Sequence, residues 1–432
     1  MQQAHRSRIL HFLGDPGGQL GEKAYEYFED GLLVIQEGHV LKIGDAHDLM
    51  PSLSPEIKVI KHNNTLLLPG FVDTHIHFPQ VEIIAAYGEQ LMDWLKKYAF
   101  PAEEKYCDRK YAKQMARIFI DQLLRNGTTT ALVFCSVHPE SVDAFFEQCG
   151  EKNLRMIAGK VMMDRNCPSS LRDTAETAYN DSKRLIDKWH NKDRLQYAVT
   201  PRFAVTSTPA QLAMARKLMY EYPDIYLQTH LSENHEEISL VLDLFPECKN
   251  YLDVYDRYDL LGERSIFAHC IHLGVDEWSR LSKTNSNLAF CPSSNLFLGS
   301  GLFSLEKADE QNLMVGIGTD VGGGNNFSVL QTLGDAYKVI QLKKEKMSPM
   351  RGLYLATLGG ARSLGLSNKI GNFESGKEAD FVCLDSAATP LLEMRIGNCS
   401  DLSEEIFALS MLGDDRVIKE TWIAGAKAYE RD

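Results

Sequence analysis

Residues 70–80 read GFVDTHIHFPQ, and the reading of this stretch decides the fold. It sits in an apolar, β-favouring run, LLLPGFVDTHIHF (66–78), that reads as one strand. Successive side chains on a strand point to opposite faces, so His75 and His77 project the same way. Two imidazoles on one face are either a packed or hydrogen-bonded core pair or two ligands of one metal ion. The pair alone does not choose. The rest of the chain does.

From Thr65 to Asn326 short apolar runs alternate with longer amphipathic stretches. After the first run come TTTALVF (128–134), RMIAGKVMM (155–163), QYAVTPRF (196–203) and IYLQTHLSE (225–233). SIFAHCIHL (265–273), NLAFCPSSN (287–295) and MVGIGTDV (314–321) complete the set. Segments between them, such as TAYNDSKRLIDKWHN (177–191) and PAQLAMARKLMYEY (209–222), carry helical spacing. Eight β–α units in about 260 residues predict an α/β fold of the (β/α)8 TIM-type barrel class. A doubly wound sheet is the competing architecture, but no G-x-G-x-x-G follows the first strand.

The two ends of the chain read differently. LLVIQ (32–36), a Glu-Gly turn and HVLKIG (39–44) form a meander, and GKEADFVCLD (376–385) and RVIKETWIAGAKAY (416–429) return to that style. The expected organisation is therefore a small β-sandwich domain built from residues 1–65 and 370–432, with the barrel at 66–369 between them.

Composition narrows the function. The 432 residues carry 46 Lys and Arg against 59 Asp and Glu, a net charge of −13, which argues against nucleic acid or an anionic membrane surface as partner. A small-molecule substrate fits better. Nine scattered cysteines with no C-x-x-C favour free thiols over a disulfide framework. The first residues have no apolar stretch of signal-peptide length and no run reaches membrane-spanning length, so a cytoplasmic protein is expected.

Active sites of such barrels lie at the C-terminal ends of the strands. There the chain places His75 and His77 on the first strand, His230 on the fifth, His269 on the sixth and Asp320 on the eighth. Imidazoles and a carboxylate converging from separate strands form a site for a borderline divalent metal, zinc first and iron second. That answers the choice left open by the histidine pair. Glu233, three residues past His230, stands where a general acid/base would sit beside a metal-held water. Glu236 and Glu237 read as solvated loop carboxylates. His272 is open between a supporting partner and a substrate contact, and His138 reads as a loop residue.

The set PGFVDTHIHFPQ, TPRF, THLSEN, AHCIHL, CPSSNLFL and GIGTDVGGG resembles the amidohydrolase superfamily over nearly the whole chain. HFPQ, DWLKKYAFPAE, KVMMDRN and TPRF resemble its guanine deaminases in particular. The resemblance implies hydrolytic deamination of guanine to xanthine and ammonia, with His75, His77, His230 and Asp320 as zinc ligands. It implies that His269 binds or flanks the metal and steadies the developing oxygen, that Glu233 shuttles protons with Asp320, and that Gln80, Arg202 and Phe203 hold the purine. A homodimer is the expected assembly. Dinuclear members bridge their metals with a lysine at the end of strand four. Here that strand ends in VTPRF, so one metal per chain is expected, and Lys160 in strand three reads as an ion-paired or exposed residue. The other zinc deaminase fold needs H-x-E followed by P-C-x-x-C; HPE (138–140) supplies the first half only. The alternative reading keeps the metal set but changes the substrate to another N-heterocycle: a pterin, a triazine or an adenosine-like compound.

Overall fold

In the computed structural model, which describes residues 2–88 and 90–432, the run LLLPGFVDTHIHF is two strands rather than one. Lys58–Pro69 belongs to a sheet of chain-end strands, and Phe71–His77 opens the barrel. Proline has no N–H to carry the ladder on. Gly70 allows the change of sheet, because a Cβ there would run into the Thr129 side chain.

The barrel strands are β1 (Phe71–His77), β2 (Thr128–Phe134), β3 (Arg155–Gly159), β4 (Leu195–Pro201), β5 (Tyr226–Leu231), β6 (Ser265–His269), β7 (Asn287–Phe290) and β8 (Val315–Ile317). Each pairs in parallel with the next. Thr74 Oγ1 donates to the Ile317 carbonyl at 3.0 Å and the Asp320 N–H to the His75 carbonyl at 2.9 Å, which brings β8 against β1. Every residue of the eight strands is buried. Parallel strands covered on both faces show this near-continuous apolar character instead of alternation. The run RMIAGKVMM is interrupted at Lys160, which is fully buried and ion-paired with Asp173, and Val161–Met162 pairs with β4 separately. NLAFCPSSN is a strand only to Phe290, and its remainder opens the helix Pro292–Phe297.

The chain ends form one continuous sheet, in the order Ala426–Glu430, Ile418–Ile423, Phe381–Asp385, Lys58–Pro69, Gln2–Phe12, Tyr25–Gln36, His39–Asp45. The sandwich expected from sequence is thus a single sheet that curls on itself. Register shifts at Ser7/Ile9 and Cys383/Leu384 add bend to the normal twist. The curl brings the two edge hairpins together: the Ala379 N–H donates to the Gly38 carbonyl at 2.8 Å, and the Gly425 N–H to the Ala379 carbonyl at 3.0 Å. Ile9, Leu33, Ile35, Leu67, Phe381 and Trp422 pack together as its core. A buried polar group sits among these strands. His5 Nδ1 lies 2.9 Å from His62 Nε2, and His62 Nδ1 lies 3.1 Å from a Glu420 carboxylate that also accepts from Trp422 and Lys427.

This sheet is fastened to the strand-starting end of the barrel. Arg155 and Arg194, at the beginnings of β3 and β4, bind Glu378, and Arg194 also binds Asp380. Thr421 Oγ1 donates to the Leu124 carbonyl at 2.7 Å. The opposite end is left for the site.

Candidate metal centre and active site

At the C-terminal ends of the strands the histidines and Asp320 come together. Asp320 Oδ1 lies 3.3 Å from His75 Nε2 and 3.4 Å from His77 Nε2, and His77 Nε2 lies 3.1 Å from His230 Nε2. Zn–N and Zn–O bonds of about 2.0–2.1 Å at tetrahedral angles set ligand atoms roughly 3.3 Å apart, so these three spacings are those of neighbouring donors on one ion. The tautomers agree. His230 donates its Nδ1–H to the Arg202 carbonyl at 2.7 Å, leaving Nε2 bare and aimed at the other ligands. His75 Nε2 and His269 Nε2 are buried with no hydrogen-bond partner among the described residues. Burial, reinforced by the neighbouring rings, holds His77 and His230 well below the usual imidazole range, which keeps them neutral and able to ligate. Burial would raise Asp320, but the surrounding imidazoles outweigh it and bring the carboxyl down to about 2. The residues present fit a single divalent ion.

The backbone contributes to this convergence. Ser232 after β5, His269 at the end of β6 and Asp320 after β8 all adopt left-handed conformations, with φ of 50°, 70° and 49°. Non-glycine residues in that region cost of order 1–3 kcal/mol each and persist where surrounding structure imposes them. Asp73 helps impose it, accepting from the His75 N–H at 3.2 Å and the Thr319 N–H at 3.1 Å and so tying β1 to β8.

Glu233 is buried beside the metal donors without joining them. Its Oε2 is 3.4 Å from His269 Nε2, and its Oε1 accepts from Ser300 Oγ at 3.0 Å. Burial raises its carboxyl above the ordinary range. Burial alone would lower His269, but Glu233 and Asp320 together hold its imidazole above its ordinary value.

A cavity of about 370 Å³ opens on this group and is lined by Gln80, Arg202, Phe203, Glu233, His269 and Asp320, with Leu91, Trp94, Leu95 and Leu298 as an apolar wall. Of the predicted metal, acid/base and purine-facing residues, all but His75 therefore line one space. His272 does not line it: His272 donates to the Ser300 carbonyl at 2.8 Å and packs on the His235 ring. His138 precedes the helix Pro139–Glu151 and accepts from Ser141 through its carbonyl, a loop role as read.

Glu237 corrects the sequence reading. It is fully buried, accepting from the backbone N–H groups of Glu233 and Asn234 and from the Tyr251 hydroxyl at 2.6 Å. Asn234 and Glu237 form the capping box of the next helix, His235–Leu244, a spacing visible in NHEE (234–237). Glu236 is exposed as expected. Three further residues escaped sequence reasoning: Glu103, which binds Arg202 and Gln80; Asn295, which fixes His269 Nδ1 at 2.9 Å; and Ser300.

The chain resembles known proteins over its whole length. A profile of the amidohydrolase family matches residues 66–427. The chain is 54% identical to the guanine deaminase of Escherichia coli (strain K12) over 409 residues, covering 95% of this chain and 93% of that one. A solved structure of E. coli guanine deaminase superposes with a TM-score of 0.98 at 52% identity over the whole of both chains. That of the C. acetobutylicum guanine deaminase, with guanine bound in its active site, superposes with a TM-score of 0.89 at 27% identity, over 99% of this chain and all of that one.

Proposed function

The chain belongs to the amidohydrolase family, and from that premise we propose that it deaminates guanine hydrolytically, giving xanthine and ammonia. One juxtaposition carries the reading: a metal donor set, a buried carboxyl and a guanidinium share a single cavity.

His75, His77, His230 and Asp320 would hold one zinc ion, with iron as the second choice. The absence of a lysine at the end of β4 supports a single metal. When bound, such an ion supplies Lewis acidity that brings the pKa of a water it holds toward neutrality. Asp320 takes the proton of the attacking water as its oxygen adds to C2 of the purine. Glu233 protonates the adjacent ring nitrogen, which removes aromatic resistance to the addition. His269 stabilises the negative charge that develops on the incoming oxygen. A proton passed on by Glu233 or Asp320 reaches the exocyclic amine, the C2–N bond breaks, and ammonia departs. Guanine plus water balances xanthine plus ammonia.

Guanine presents O6 and N7 as adjacent acceptors, whereas adenine has a donor amine in place of O6. Arg202, donor-only and always charged, suits the first and opposes the second. Phe203 packs on the ring, and Gln80 offers an amide to another edge. The nine cysteines are all free, which supports a reducing, cytoplasmic setting, and a homodimer is the assembly to be measured by light scattering.

Ammonia release from guanine, adenine, a pterin and a triazine tests the proposal. Guanine should exceed the others by roughly two orders of magnitude or more, since a site built for one hydrogen-bonding pattern rejects its mismatch strongly. A preference for another heterocycle would replace the substrate and leave the metal hydrolase in place.

A further inference from the structure

The motif DWLKKYAFPAE (93–103) builds a helical segment over the cavity. The helix Leu91–Trp94 widens across Leu95–Ala99, where the Phe100 N–H bonds to the Leu95 carbonyl five residues back, and it resumes at Phe100–Glu104. Such widened turns are rare and concentrate at functional sites. This one places Trp94 and Leu95 on the cavity wall and the Phe100 ring 5.5 Å from the Arg202 guanidinium carbon. It also brings Glu103, 1% exposed, onto Arg202.

Both Glu103 carboxylate oxygens lie 2.8 Å from Arg202 Nη1, and Gln80 Nε2 donates to Oε1 at 3.0 Å. Glu103 does not line the cavity itself. A single buried carboxylate thus grips two of the residues that face the purine, from a segment 23 residues beyond one and 99 before the other.

We propose that Glu103 is a positioning residue that sets purine specificity by holding Arg202 and Gln80 as one unit. This rests on the guanine reading above. Three physical effects follow from the contact. Nη1 is committed to Glu103, so Nη2 and Nε are the guanidinium donors left for a ligand. One amide proton of Gln80 is committed too, which fixes the amide's rotation and keeps its Oε1 over Gly322. And the carboxylate neutralises a guanidinium that would otherwise stand buried beside the cationic metal centre.

The test compares E103Q, E103A, R202A and the double variant E103Q/R202A. Metal content, thermal unfolding, guanine and adenine kinetics, and crystal structures of the two Glu103 variants are the readouts. E103Q, which keeps the shape but loses the charge, should cut kcat/KM for guanine by roughly 10- to 100-fold, mainly through KM, because a displaced binding group costs on this scale. Its metal content should match the wild type. The preference for guanine over adenine should shrink about tenfold, and the double variant should be no worse than R202A, the sign of residues acting as a unit. In the crystals Arg202 and Gln80 should leave their wild-type rotamers. Activity within twofold of wild type, losses that add in the double variant, or unmoved Arg202 and Gln80 side chains would each overturn the proposal. If the wild type releases no ammonia from guanine, the guanine reading fails, while the crystal structures of E103Q and E103A still decide whether Glu103 positions the two residues.

Discussion

His269 Nε2 stands 3.4 Å from Glu233 Oε2, and both side chains are almost wholly buried. With Nδ1 of the same ring on Asn295, the imidazole holds Nε2 towards the carboxyl, and both groups line the same cavity. Glu233→Gln keeps the size and most of the hydrogen bonding but cannot give or take a proton. Turnover should fall by roughly 10²–10⁴, the usual contribution of a positioned acid/base. Metal analysis of the variant should match the wild type; near-normal turnover would reduce Glu233 to a spectator.

The ligand set makes a count. Elemental analysis should find one zinc per chain, removed together with activity by a chelator and restored by added zinc. His75→Ala or His230→Ala should leave the protein folded and metal-poor, since each removes one corner of the site. Two metals per chain, or full activity after complete stripping, would contradict the single-ion assignment.

Gly322 gives a test of cavity shape. Its φ is +116°, and a Cβ there would lie 2.0 Å from Gln80 Oε1. Gly322→Ala must therefore displace Gln80 and strain the backbone by about 1–3 kcal/mol. The KM for guanine should rise while metal content holds. An unchanged KM would remove Gln80 from substrate binding.

Acid sensitivity should trace in part to the chain-end sheet. Burial, with His62 adding to it, lowers His5 from 6.5 to about 3. Between those values the unfolded chain binds the extra proton and the folded one does not. Stability therefore falls as pH drops below about 6.5, by about 2 kcal/mol at pH 5 relative to pH 7 from this group. Chemical denaturation midpoints at the two pH values should show the loss, and His5→Gln should flatten it. An equal slope in the variant would place the sensitivity elsewhere.

The strand-end histidines were legible because two local rules, alternation along a strand and the polarity of a β–α barrel, fix where His75, His77, His230, His269 and Asp320 must point. Glu103 was not legible in its role. It sits in a helical stretch whose other residues are ordinary, and only a contact 99 residues away shows what it does. Glu237 was misread as solvated for a related reason: its burial comes from Tyr251 and from the cap it makes, and hydrophilic neighbours hide both. The break at Pro69 leaves no change in apolar character, so one run read as one strand. Whether the chain ends form two sheets or one curled sheet depends on which edges meet, which no local pattern encodes.

The strand Lys58–Pro69 lies between Gln2–Phe12 and Phe381–Asp385, so one of its edges finds its neighbour only across roughly 300 residues of later sequence. At synthesis rates of about 5–20 residues per second, a nascent chain would carry that open edge for about 15–60 s. An unpaired apolar edge recruits other chains as readily as its own. Slowing elongation through the barrel lengthens the time before Phe381–Asp385 can cover that edge.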